Sequence, residues 1–96
     1  MTTRESFAPE LEALIGQKVV VDTKDLFLYI GTLRQVNVNT LLLTEVDVHN
    51  CAESPTSSDL YLIQLCTDGI RINRQSVYVL AKEVVSVSPL ADIVMY

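Results

Sequence analysis

A chain of 96 residues fills one core and excludes a second, since domains usually run about 100 to 150 residues. Its 49% hydrophobic content and mean hydropathy of +0.30 exclude a disordered chain, and point to apolar surface that a partner covers. A net charge of −5 excludes nucleic-acid binding by overall charge, so any RNA contact needs a local gathering of basic groups.

In chain order, residues 6–16, SFAPELEALIG, carry a helix pattern. Pro9 suits the first turn, Leu11, Leu14 and Ile15 share one face, and Gly16 suits the stop. Glu10 and Glu12 favour the positive end of the helix dipole. The period then switches to two. KVVVDT (18–23) predicts a first strand, KDL (24–26) a turn, and FLYIGTLRQV (27–36) a long second strand. Phe27, Tyr29 and Leu33 line one of its faces and Leu28, Ile30 and Val36 the other. Apolar residues on both faces suit a strand bent to serve two parts of a core, and Gly31 is where the bend costs least.

NVNT (37–40) is a turn, because Asn tolerates positive φ and hydrogen-bonds its own backbone, and LLLTEVDVHN (41–50) is a third strand. CAESPTSSD (51–59) reads as a polar, mobile loop. LYLIQLC (60–66), TDG (67–69) and IRINRQSVYVL (70–80) predict a hairpin by the Asp-Gly rule. AKE (81–83) is a tight connection, VVSVS (84–88) the last strand, and the tail 89–96 is apolar enough to pack. The expected fold is mainly β: an N-terminal helix, then a strongly bent five-stranded antiparallel open barrel of SH3-like kind, with an enlarged segment before the fourth strand.

Residues 14–48, from LIGQKVVVD to LLLTEVDV, carry a resemblance to the first motif of the Sm and Sm-like (LSm) proteins. The matching positions are Ile15-Gly16, then Tyr29, Gly31, Leu33, Asn37, Leu41 and Leu43. The second motif, apolar-Arg-Gly-x-Asn-Val in that family, aligns with Val79-Leu80-Ala81-Lys82-Glu83-Val84, where the Arg, Gly and Asn are missing. The resemblance implies a non-catalytic RNA chaperone or adaptor: a ring of copies joined through the fourth and fifth strands, with single-stranded RNA held at the pore-side turns. Carried onto this chain, those turns offer Asn37, Asn39, Thr40 and Lys82. Arg71 and Arg74, the densest basic patch in the chain, are a second candidate contact.

Independently of the resemblance, neither SVYVL nor VVSV holds an interior charge or proline to deter edge pairing. The expected oligomer interface is Val77, Tyr78, Val79, Val84, Val85 and Val87, and a head-to-tail contact of this kind closes into a ring of roughly five to seven subunits. An alternative keeps the ring as a protein-interaction scaffold without RNA. A third is a monomeric SH3-like or Tudor-like barrel that binds a peptide.

Plainer readings stand beside these. Asn37, Asn39 and Thr40 are good turn formers, Arg71 and Arg74 suit a strand surface, and His49 reads as a strand-end polar residue. Cys51 and Cys66 form no CxxC pair; their number alone allows a disulfide, the plainer reading is two reduced thiols, and neither a metal nor a cofactor is expected. One His and scattered acids make no catalytic constellation, so no enzyme is expected. No membrane-length apolar run or signal core is present, and the cytoplasm is the expected location.

Overall fold

The computed structural model describes residues 5–52 and 57–94. Five strands form one antiparallel sheet: β1 (Lys18–Thr23), β2 (Phe27–Val36), β3 (Thr40–Asn50), β4 (Arg74–Leu80) and β5 (Val84–Pro89). The order across the sheet is β4-β3-β2-β1-β5. The margin strands β4 and β5 are joined by Ala81–Glu83 alone, so the sheet must curl to bring its two margins together at that end.

Gly31 sits at an irregularity in the β2–β3 ladder. Ile30 pairs with Asp47 and Thr32 with Thr44, so Glu45 and Val46 face Gly31 alone. Glu45 takes the left-handed conformation, with φ of 54°, as the extra residue of a bulge often does. A Cβ on Gly31 would lie 3.0 Å from the Thr44 carbonyl oxygen and 3.1 Å from Val46 Cγ2. The glycine is therefore required by close approach of two strands, which is a sharper reason than ease of bending.

The bulge also switches the face that each β3 side chain presents. Leu41 and Leu43 point into the barrel before it, Val46 and Val48 do so after it, and Asp47 and His49 turn the other way. The barrel interior holds Val19, Val21, Leu33, Val36, Leu41, Leu43, Val46 and Val79, all buried. On the outer side Val20, Leu28 and Ile30 form a second buried cluster with Leu62 and Leu65. The two apolar faces of β2 are thus two cores on opposite sides of one sheet, but Val36, expected beside Leu28 and Ile30, lies in the barrel interior with Leu33, past a second ladder irregularity between Leu33 and Gln35.

Leu62 and Leu65 belong to a helix, α1 (Ser58–Asp68), where a strand over 60–66 was expected. Ser57 caps it, its hydroxyl accepting the Leu60 N–H at 3.2 Å, and Asp59 lies in its positively polarised first turn. LYLIQLC is apolar at both helical and strand spacing, so periodicity does not choose; the cap and the outer face of β1 and β2 do. Gly69, expected in a hairpin turn, ends α1 at positive φ and donates its N–H to the Leu65 carbonyl at 2.8 Å. β4 accordingly starts at Arg74, four residues later than expected. Of the expected loop 51–59, Cys51 and Ala52 form a turn, Ser58 and Asp59 open α1, and 53–56 lie outside the described residues.

The expected helix over 6–16 is a 3₁₀ helix, Pro9–Leu14, whose Ala8 cap offers no side-chain hydrogen bond. Phe7, Leu11 and Leu14 pack on the interior cluster, while Ile15 is 45% exposed. Gly16, at φ of 92°, turns the chain into β1 and donates its N–H to the Leu33 carbonyl at 2.8 Å. After β5, Leu90 and Ile93 of the tail pack on the outer cluster; residues 95 and 96 lie outside the described ones.

Candidate nucleic-acid interface

The turns after β2 and β4 meet at one end of the sheet. Thr40 pairs with Leu80, and the Ala81 N–H donates to the Asn39 carbonyl at 2.7 Å, tying the two turns together. Asn37 is half-buried: its side-chain Nδ2 donates to Thr40 Oγ1 at 3.0 Å, its N–H to the Thr40 carbonyl at 2.8 Å, and its own carbonyl accepts the Phe7 N–H at 3.1 Å. Its side chain therefore shapes the turn, and Oδ1 is buried without a partner among the described residues. Asn39 and Lys82 are exposed. Sequence reasoning placed Asn37, Asn39, Thr40 and Lys82 together, and the structure does bring them together.

β4 and β5 lie at the two margins of the sheet, each with one neighbour among the described residues. Each strand thus has one row of backbone hydrogen-bonding groups facing away from the sheet. Of the expected interface side chains, Val79 is a core residue at 4% exposure, and Val77, Val84 and Val87 pack against the interior cluster. Strand alternation turns them inward. Tyr78, 61% exposed, and Val85, 64% exposed, remain on the outer surface, joined by Leu80 at 47%, which the sequence had not nominated.

Among solved structures, an Sm protein of Pyrococcus abyssii in complex with a uridine heptamer is similar over 88% of this chain and 99% of its own, with TM-score 0.57 and 15% identity. A heptameric archaeal Sm protein is similar over 84% and 96%, with TM-score 0.56 and 23% identity. The SmAP1 heptamer of P. aerophilum covers 86% and 90%, with TM-score 0.56 and 25% identity. The fold is Sm-like. No protein-family model and no curated protein sequence matches the chain.

Three departures mark this Sm-like chain at the joined turns, Ala81 in place of Gly among them. Leu80 stands where the resemblance calls for Arg, and Glu83 where it calls for Asn, so the turn before β5 keeps Lys82 as its one cation. Arg71 and Arg74 do not join it. They lie ahead of and at the start of β4, six residues or roughly 20 Å along the strand from Leu80.

That far end holds a cavity of about 460 Å³ between α1, the end of β3 and the start of β4, with Asp47, His49, Asn50, Tyr61, Arg71, Ile72 and Asn73 on its walls. Asp47 is only 2% exposed and receives the Tyr61 hydroxyl at 2.5 Å. Asn73 Nδ2 approaches its other oxygen at 3.5 Å, the outer limit of a hydrogen bond, while bonding the Val48 carbonyl at 3.1 Å. Asn73 Oδ1 accepts the Val48 N–H at 3.0 Å, so Asn73 acts as a side-chain extension of the ladder. The His49 ring stacks on Tyr61 with centroids 3.7 Å apart, and its Nε2 is buried without a partner among the described residues. Burial, the hydrogen bond to Asp47 and the Asp47 charge push the Tyr61 phenol up to about 12, against a smaller opposing pull from Arg71.

Sequence reasoning missed this cluster. Only half of its signal was present: after the unbroken Leu41, Leu42 and Leu43 the apolar residues of β3 fall on even numbers, Val46 and Val48, with Asp47 and His49 on the other face. Among the described residues no three His, Cys, Asp or Glu side chains gather to hold a metal, and no helix is long and apolar enough to cross a membrane.

Proposed function

We propose that this Sm-like chain joins copies of itself, β4 of one to β5 of the next, in a ring of roughly five to seven subunits that holds single-stranded RNA at its joined turns. The observation that carries the proposal is the geometry of those turns: the margin strands with bare edges run into turns that share a backbone hydrogen bond and expose Asn39 and Lys82. Closing the ring would gather one such pair per subunit around the pore, so a single Lys becomes a collar of positive charge. The similar heptamers and the uridine complex support this reading. The role is that of a cytoplasmic, non-catalytic chaperone or adaptor.

The loss of the Arg and the internal tether on Asn37 favour a second reading, a protein-interaction ring without RNA. One experiment separates them. The mass in solution should be several times the 10.7 kDa of the subunit, and Tyr78→Lys with Val85→Lys, which sets like charges across the seam, should return it to the monomer. A uridine heptamer should bind the ring at micromolar protein, more weakly by about tenfold after Lys82→Glu and more weakly as salt rises. A ring that binds no oligonucleotide leaves the second reading standing, and a wild-type monomer removes both.

A further inference from the structure

We infer that the groove between α1 and the tail after β5 is a docking site for an amphipathic helix of a partner protein, cationic at one end and anionic at the other. The groove holds two cavities that share Ile93 on their walls, one of about 670 Å³ and one of about 180 Å³. Asp59, Leu62, Ile63 and Cys66 of α1 recur at spacings of three and four residues, so one side of the helix faces the groove along its length. Leu90, Ile93 and Val94 of the tail form the facing wall. Leu62 and Leu65 are buried at the floor, whereas Ile63 and Ile93 are half-buried and Cys66 and Val94 are exposed. An incoming side chain therefore meets apolar surface at the rim without displacing the core.

The two ends of the groove differ in charge. Among the described residues, the smaller cavity, beside the start of α1, has Asp59 and Asp92 on its walls and no Lys or Arg. The larger, beside the end of α1, has Lys18 and no Asp or Glu. From Asp59 to Gly69 the helix runs roughly 15 Å at about 1.5 Å per residue, or about three turns. No bare strand edge lies here, since β1 pairs with β2 on one side and β5 on the other, so an extended peptide finds no ladder to join. A helix satisfies its own backbone and offers aliphatic side chains every three or four residues, with Lys or Arg set over Asp59 and Asp92 and an acid over Lys18. No aromatic ring lines either cavity, which leaves a nucleobase nothing to stack on. The site is built within one chain, so it stands whether or not the ring forms or its joined turns hold RNA.

The test is fluorescence anisotropy of three labelled peptides titrated with the full chain. Each is about 18 residues, long enough to form a helix, and carries the same leucine face with charged pairs about three turns apart: Lys with Glu, Lys with Lys, or Glu with Glu. The mixed peptide should bind at micromolar protein, at least about fivefold tighter than either uniform one. Asp59→Lys with Asp92→Lys, both at exposed positions, should move the preference to the all-Glu peptide. Should that variant fail to fold by circular dichroism, Lys18→Glu takes its place and should move the preference to the all-Lys peptide. The mixed peptide should also slow alkylation of Cys66 by iodoacetamide severalfold, read by mass spectrometry of the fragment that bears it, because Cys66 lines the larger cavity. Absence of binding, a preference that the charge reversals leave unchanged, or unaltered Cys66 alkylation overturns the inference. Tightest binding of the all-Lys peptide by the unaltered chain marks attraction by its net charge of −5 alone and overturns it too. Protection of Cys66 that grows with protein concentration in the absence of peptide marks a second copy as the occupant, with the same consequence.

Discussion

Replacing Gly31 by alanine tests the bulge on which the placement of Asp47 and His49 depends. The new Cβ would stand 3.0 Å from the Thr44 carbonyl oxygen, 3.1 Å from Val46 Cγ2 and 3.3 Å from Val46 Cα. Carbon–carbon contacts are most favourable at about 3.5 to 4.0 Å, so β3 must retreat by a few tenths of an ångström at a point held by backbone on both sides. Overpacking of this kind costs about 1–3 kcal/mol, and the stiffer unfolded chain returns about 0.4–1 kcal/mol. The expected net loss is about 1–2 kcal/mol, or a fall in Tm of roughly 5–15 °C for a domain of this size. Urea and thermal unfolding followed by circular dichroism read it directly. Because Val46 supplies one of the contacts, the Gly31→Ala penalty should shrink by about 0.5 kcal/mol or more in a Val46→Ala background. A Gly31→Ala protein as stable as the wild type would show that β2 and β3 do not approach this closely and that the bulge lies elsewhere.

Two further outcomes follow from the same strand and its partner helix. Glu45→Gly removes a side chain from a left-handed backbone position and should raise stability by about 0.5–1 kcal/mol, whereas the same change at Glu12, which sits at no positive φ, should not; equal effects in urea unfolding would argue against the bulge. Tyr61 keeps its proton to about pH 12 in the folded chain against about 10 when unfolded, so its stabilising contribution is complete below pH 10 and is lost as pH rises from 10 to 12. Tyr61→Phe should flatten that decline and lower stability at neutral pH by about 1–3 kcal/mol, since buried Asp47 loses its closest donor; titration at 295 nm should show one tyrosine fewer in the late phase.

The strands were legible in the sequence wherever one physical rule acted alone. Alternating β-branched residues placed β1, β2 and β5 within a residue or so, and the Asn-rich knot at 37–39 marked the turn between β2 and β3. Segment 60–66 was not legible as a helix, because its apolar residues satisfy both periods and the deciding partner, the outer face of β1 and β2, exists only once the sheet is formed. Asn37 was legible as a turn residue, yet its half-buried tether to Thr40 comes from the fold of the turn. Arg71 and Arg74 were legible only as a second basic patch, and the length of β4 carries them to the end opposite Lys82.

The high hydropathy of the chain separates into two demands with different solutions. Val20, Leu28 and Ile30 on the outer side of β1 and β2 would form an apolar patch on a bare barrel, and the chain covers them itself with Leu62 and Leu65 of α1 and with Leu90 and Ile93 of the tail. Tyr78, Leu80 and Val85 along the margins have no such cover within the described residues. Covering them from within would also block the edges of β4 and β5. The same helix that removes one apolar surface also walls the cavity around Asp47, so it links the stability of the sheet to the shape of that cavity. Changes on α1 that keep Leu62 and Leu65 but alter Tyr61 should therefore act on that cavity while the joined turns at the other end keep their geometry.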